Sequence, residues 1–183
     1  MEFRDVLITG GAGFVGSNLA ILFREAFPGL RVTVLDNLRR RGTELNLPRL
    51  AKAGILFRHG DVRIADDFAD LSHFDLLIDC SAESSVLAGL HGTPRSVLET
   101  NLAGTINCLE AARVRGAAFV FLSTSRVYPI AALNALPFTE STTRFCWDDI
   151  TDVPGFSNRG IAEGFTLEGA RSFTERPNWR ESI

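Results

Sequence analysis

The strongest constraint on the fold is a cluster of glycines, Gly10, Gly11, Gly13 and Gly16, set between a short apolar run and an amphipathic one. Val6, Leu7 and Ile8 precede the cluster and suit a fully buried strand. Phe14, Val15, Leu19, Leu22 and Phe23 follow at helical spacing, until Pro28-Gly29 stops the helix. A strand-to-helix turn of this kind needs glycine for three reasons. A tight turn needs positive φ, a phosphate must approach the backbone with no Cβ in the way, and the helix must pack close to the strand. Phosphates then rest on the free N–H groups of the helix N-terminus, where the macrodipole favours negative charge. Both Gly10, Gly13, Gly16 and the register Gly11, Gly13, Gly16 fit a dinucleotide fingerprint.

The rest of the chain repeats the same rhythm. Val32 to Leu35 reads as a second strand, Thr43 to Ala53 as a poorer helix disturbed by Pro48 and ended by Gly54, and Ile55 to Phe57 as a third strand. Asp75 to Asp79 is the fourth strand. Thr93 and Pro94 look like a cap and first helical residue. They open a helix whose apolar pattern is Val97, Leu98, Leu102, Ile106, Leu109 and Ala112, running to Gly116. Phe119 to Leu122 is the fifth strand. Strands alternating with helices imply βαβ crossovers and an α/β fold, a doubly wound parallel sheet of Rossmann type. A strand order of 3-2-1-4-5 is expected. If later strands and a further helix are lost from such a sheet, strand five becomes an unprotected edge, the sheet is incomplete on its C-terminal side, and an uncovered apolar face favours association.

Composition narrows the classes of function. The 183 residues are 45% hydrophobic, enough to bury a core without a metal or disulfide staple. The net charge of -3 gives no basic footprint, so nucleic acid is not expected as a partner. No apolar run approaches a membrane span, and Glu2, Arg4 and Asp5 interrupt any secretory signal. Cys80, Cys108 and Cys146 have neither metal-ligand spacing nor an even disulfide count. Cys80 and Cys108 read as small buried hydrophobes, and the reducing cytoplasm is the expected location.

The second strand ends in Asp36-Asn37, twenty residues past Gly16, where an acid grips an adenosine ribose. A carboxylate there repels a 2′-phosphate and favours NAD over NADP. Arg39, Arg40 and Arg41 follow; they read as a solvated turn or as contacts for a nucleotide phosphate. The third strand ends in His59-Gly60-Asp61-Val62-Arg63, placing Asp61 to accept from an adenine amino group and Val62 to pack on the ring. A simple turn acid is the plainer account of Asp61, and His59 reads as a satisfied strand-end residue.

These pieces resemble the extended short-chain dehydrogenase/reductases, in particular the NAD-dependent nucleotide-sugar epimerases and dehydratases. The match runs from the Gly10–Gly16 turn through Asp36-Asn37 and Gly60-Asp61-Val62-Arg63. It continues to Asn101 in Thr100-Asn101-Leu102-Ala103-Gly104-Thr105 and to Ser123-Thr124-Ser125-Arg126-Val127-Tyr128. The stretch Asp36 to Gly42, together with the later Ser123-Thr124-x-x-Val127-Tyr128, looks most like the CDP-tyvelose (CDP-paratose) 2-epimerase branch. The resemblance implies NAD as cofactor, bound by Gly10, Gly13, Phe14, Val15, Gly16, Asp36, Asn37, Asp61, Val62, Cys80, Ser81, Ala82, Asn101 and Ser123. It implies that Thr124 hydrogen-bonds the reacting oxygen of a nucleotide-linked hexose, a CDP- or dTDP-hexose being expected, with Glu83 and Ser84 as substrate contacts. The implied chemistry is redox-neutral: a hydride leaves a sugar carbon for NAD and later returns. A homodimer is compatible with it.

One element of that chemistry is missing. The family's base is a tyrosine with a lysine four residues on, whose charge lowers the phenol pKa. The only tyrosine here is Tyr128, with Ala132 four residues later, and the only lysine is Lys52. Tyr128 matches the strand-five motif instead. The chain thus divides into a nucleotide-binding core over 1–128, an irregular region over 129–171 and an aberrant tail over 172–183. Past Ser172, the tail Phe173-Thr174-Glu175-Arg176-Pro177-Asn178-Trp179-Arg180 permits Tyr-Gly-Ala-Thr-Lys-Leu-Ala when its codons are read one base out of frame. This suggests a frameshift and a truncated protein. The coding DNA decides, because Phe173 must end in T and Pro177 in A. Three readings stay open: an impaired epimerase/dehydratase, a non-catalytic NAD-binding module, and a fragment without function.

Overall fold

The computed structural model describes residues 3–85, 88, 94–124, 127–148 and 152–169. The chain forms two compact units, 1–123 and 124–183. Thr93, Ser125, Arg126 and the tail 172–183 lie outside the described residues.

The first unit is built on five parallel strands. They are β1 (Asp5–Thr9), β2 (Arg31–Asp36), β3 (Leu56–His59), β4 (Leu76–Asp79) and β5 (Ala118–Phe121). Their order is β3-β2-β1-β4-β5, as expected from the alternation. Because side chains alternate along each strand, the sheet has two apolar faces. Val6, Ile8, Val32, Val34, Leu76 and Ile78 meet α1 (Phe14–Ala26) and α2 (Leu47–Lys52), where Ala20 and Leu50 are buried. Leu7, Leu35 and Leu77 face the other way, onto Phe68, Phe74 and the helix that precedes β5. Pro48 does not break α2. It stands in the first turn, where a missing N–H costs nothing, and a 3₁₀ turn at Thr43–Asn46 leads into it.

The long helix expected from Pro94 to Gly116 is interrupted. It divides into α3 (Arg95–Leu98), a π turn (Glu99–Ala103) and α4 (Gly104–Arg115), closed by Gly116 in the left-handed conformation. Its burial also differs from the expected apolar stripe. Gly104, Cys108, Ala111 and Ala112 face the sheet, whereas Leu98, Leu102, Ile106 and Leu109 are exposed. The reason is the closeness of approach. A Cβ on Gly104 would stand 2.7 Å from Val62 Cγ2, in the turn after β3, so only a small residue fits there, and the bulky ones turn outward. β5 pairs with β4 alone among the described strands, and its Val120 and Phe121 are exposed.

The second unit was expected as irregular chain, but it carries short elements. They are α5 (Ile130–Asn134), the hairpin β6 (Phe138–Glu140) and β7 (Phe145–Trp147), and the pair β8 (Phe156–Ser157) and β9 (Gly160–Ile161). Leu136, Phe156 and Phe165 form a small core. Tyr128 belongs to this unit. Its ring meets Phe165 edge-on at 5.6 Å, and its hydroxyl donates to the Ala162 carbonyl at 3.1 Å. The second compact unit begins at Thr124, so Tyr128 lies within it.

Candidate functional site

A cleft of about 480 Å³ opens at the C-terminal edge of the sheet, the edge at which parallel α/β sheets take ligands. Its floor is the glycine turn. Gly10 has φ +63°, and a Cβ there would lie 2.7 Å from the Cys80 carbonyl oxygen. A Cβ on Gly16 would lie 2.4 Å from the Gly10 carbonyl oxygen, so the turn and the start of α1 touch backbone to backbone. α1 begins at Gly13 with no side-chain cap. The first amide bonded one turn back is that of Ser17, to Gly13 O at 3.0 Å. The amides of Phe14, Val15 and Gly16 precede that bond and lie at the cleft.

The acid at the end of β2 is tied to this turn. Asp36 accepts from the Ala12 amide at 3.0 Å and from the Leu38 amide at 2.8 Å, one bond per oxygen. Leu38 is held at φ +54°, and Asn46 Nδ2 donates to the Ala12 carbonyl at 2.8 Å. Both loops are thereby fixed around one carboxylate, which keeps a lone pair on each oxygen.

Asn37 and Val62 line the cleft beside Asp36. Asp61 does not. Its Oδ1 accepts from Arg63 N at 3.0 Å and Nε at 2.9 Å, and its Oδ2 from Arg63 Nη2 and from Asn37 Nδ2, the latter at 2.9 Å. Four donors fill the acceptor positions of one carboxylate, so receiving an adenine amino group would require Asn37 to let go. Arg63, foremost, holds the Asp61 carboxyl well below the usual carboxylate range.

The strip after β4 forms the far wall, with Cys80, Ser81, Ala82 and Ser84 lining it, and Ser123 after β5 closes it. Side chains behind the wall secure this strip. Asp79 is 1% exposed and accepts from Thr9 Oγ1 at 2.7 Å, from Thr105 Oγ1 at 3.1 Å, and from both the amide and hydroxyl of Ser81. Asn101, in the π turn, takes the Glu83 amide at 2.7 Å and donates to its carbonyl at 3.2 Å. Asn101 thus supports the wall without lining it. Burial pushes the Cys80 and Cys108 thiols up to about 12, with Asp79 adding to the effect. Cys108 is the buried hydrophobe expected, whereas Cys80 is only half-buried because it lines the cleft.

The cleft therefore gathers Gly10, Gly13, Phe14, Val15, Gly16, Asp36, Asn37, Val62, Cys80, Ser81, Ala82 and Ser123 from the residues singled out in the sequence. Asp61 and Asn101 stand behind the lining, and Thr124 falls in the second unit. Sequence reasoning missed Asp79. The signal was available in the strand register, because Thr9 and Asp79 are paired neighbours on β1 and β4, and a buried carboxylate requires donors. Lys52 ends α2 and so stands toward the start of β3, at the opposite edge of the sheet. A second cavity of about 570 Å³ occupies that opposite edge. The charged groups around it are engaged, Arg24 with the Pro28 and Leu30 carbonyls and Arg31 with Asp5. No cluster of metal ligands occurs among the described residues, and no described helix is long and apolar enough to cross a membrane.

A Rossmann-like sheet with a glycine turn and a strand-end acid defines a dinucleotide-binding class. Residues 6–146 match the NAD dependent epimerase/dehydratase family, and the chain belongs to that family. It is 32% identical to CDP-paratose 2-epimerase of Salmonella typhi over 189 residues, covering 92% of this chain and 53% of that protein. It is 37% identical over 139 residues to dTDP-glucose 4,6-dehydratase of Mycobacterium tuberculosis, covering 75% of this chain and 41% of the relative. Among solved structures, a dTDP-glucose 4,6-dehydratase of Streptomyces venezuelae with NAD bound superposes with a TM-score of 0.61 at 35% identity, over 69% of this chain and 41% of that one. The chain spans about half the length, or less, of the relatives it matches.

Proposed function

We propose that this chain binds NAD in the cleft of its first unit and carries the cofactor-binding part of a nucleotide-sugar epimerase or dehydratase. The observation that carries this reading is the joint between Asp36 and the Ala12 amide, 3.0 Å long. It sets a ribose-gripping acid and a bare-amide turn in one fixed frame. The residues fit the group. A Cβ at Gly10 or Gly16 would clash with backbone, and the cleft volume falls within the range of cofactor sites. When bound, NAD supplies hydride acceptance and return at a sugar carbon.

The roles of the protein groups follow from their places. The amides of Phe14 to Gly16 face the diphosphate, and the free lone pairs of Asp36 accept from ribose hydroxyls, which disfavours a 2′-phosphate. Val62 packs against the adenine. Asp61 orients Asn37 and, on releasing it, receives the adenine amino group. Cys80, Ser81, Ala82 and Ser123 line the nicotinamide side, with Asn101 steadying them. Thr124 hydrogen-bonds the reacting oxygen of a CDP- or dTDP-hexose. This reading carries with it isomerase or dehydratase activity and a cytoplasmic location, and it is compatible with a homodimer.

One observation favours a second reading, that of a module which binds NAD without turnover. The only tyrosine is engaged by Ala162 and Phe165, and the only lysine ends α2. No tyrosine–lysine base is present in these 183 residues. Calorimetric titration with NAD tests the common core of both readings, and the absence of heat from folded material refutes it. Turnover of a CDP- or dTDP-hexose separates the two readings, with binding but little turnover expected.

A further inference from the structure

Arg40 follows the end of β2 and Ser84 the end of β4. In the sheet, β1 lies between those two strands. Arg40 Nη1 nevertheless donates to Ser84 Oγ at 2.9 Å. The bond therefore joins the chain after β2 to the chain after β4 across the end of β1, from which the glycine turn springs. Both residues line the cleft, and among the described lining residues Arg40 is the only cation and Asp36 the only acid. The two charges are set apart. Asp36 is held on the β2 side by Ala12 and Leu38, while the guanidinium is carried over to the β4 side. A serine hydroxyl is a neutral acceptor that engages a fraction of the five guanidinium N–H groups. Exchanging it for phosphate oxygens gives shorter, charge-assisted and bidentate bonds.

We propose that Arg40 clamps the diphosphate of the dinucleotide, the Ser84 hydroxyl holding the guanidinium across the cleft until the diphosphate takes its place. The clamp rests on the reading of the cleft as an NAD site, and it adds a side-chain cation to the main-chain amides of the turn. The span toward β4 selects the bridging diphosphate over a phosphate on the adenosine ribose, which would lie beside Asp36. Substituting Arg40 leaves the loop intact, because Thr43 bonds the Arg40 carbonyl and not its side chain.

The test titrates the 183-residue chain and its Arg40→Met, Arg40→Lys and Ser84→Ala variants with NAD, ADP, adenosine and NADP, with circular dichroism as the check on folding. Arg40→Met is expected to weaken NAD and ADP by about 10- to 100-fold, the loss of a charge-assisted pair. Its adenosine affinity should stay within about twofold of the unmodified chain. Arg40→Lys keeps the charge and loses the fork, so it falls between the two. Ser84→Ala removes the acceptor that competes with phosphate for the guanidinium, so NAD and ADP are expected to bind more tightly, by up to about threefold. Unchanged ADP affinity in Arg40→Met, with NAD still bound by the unmodified chain, overturns the clamp and leaves the NAD reading standing. A loss confined to NADP assigns Arg40 to the ribose phosphate and overturns it too. So does a loss in Ser84→Ala as large as in Arg40→Met. No binding of NAD by the unmodified chain overturns both proposals.

Discussion

Gly13→Val separates ligand binding from folding. The backbone at Gly13 has φ −68° and ψ 173°, a conformation open to any L-residue. The only atom within 4 Å of an added Cβ is the Gly10 carbonyl oxygen, at 3.0 Å. A shift of a few tenths of an ångström relieves that contact, at about 1 kcal/mol. For a chain of this size the melting temperature should fall by about 2–4 °C. The branched side chain otherwise projects into the cleft, over the amides at the start of α1. Losing two main-chain bonds to phosphate, at about 1.5 kcal/mol each, removes roughly 3 kcal/mol of binding, or about a hundredfold in Kd. Gly16→Ala is the contrasting change. Its Cβ meets Gly10 O at 2.4 Å and Gly11 Cα at 2.7 Å, so folding itself loses about 1–3 kcal/mol. Thermal melts and NAD calorimetry on both variants give the comparison. A folded Gly13→Val chain that binds NAD within about threefold of the unmodified one refutes the placement of the diphosphate on this turn.

Other consequences can be checked in solution. Because Arg63 holds Asp61 ionised below the usual range, that pair contributes its full stability above about pH 4 and loses it as pH falls further. Melts of Asp61→Asn should therefore show a flatter decline below pH 4 than the unmodified chain, and parallel declines would count against the pairing. Cys108, 0% exposed and with its thiol pushed up to about 12 by burial, should resist alkylation at pH 7.5 until the chain unfolds; mass spectrometry showing rapid native modification would contradict that. The exposed Leu102, Ile106 and Leu109 of the π turn and α4, with Val120 and Phe121 of the edge strand, should make the isolated chain self-associate. A monodisperse monomer in sedimentation velocity, with a cooperative melt, would refute this.

The inner strands were legible because strands covered on both faces read as continuous apolar runs, as Val6 to Ile8 and Leu76 to Ile78 do, and the edge strands β3 and β5 kept enough apolar residues to read the same way although they are half-exposed. The glycine turn and Asp36 were legible because their spacing is set by backbone geometry. The α3–α4 region misled, because periodicity identifies an apolar stripe but not the distance of closest approach. Gly104 against Val62 decides which face turns inward. The pinning of Glu83 by Asn101 and the crossing of Arg40 to Ser84 join residues 18 and 44 positions apart, separations on which local pattern is silent. The second unit escaped because elements of two to five residues are too short to establish a period.

The walls of the cleft come from both ends of the first unit, Gly10 at one extreme and Ser123 at the other, with Asp79 knotting β1 to β4 between them. A nascent chain leaving the ribosome through β3 has the turn and the acid but only one bank of the channel. The cleft's full lining is thus assembled only once the chain has been made through Ser123.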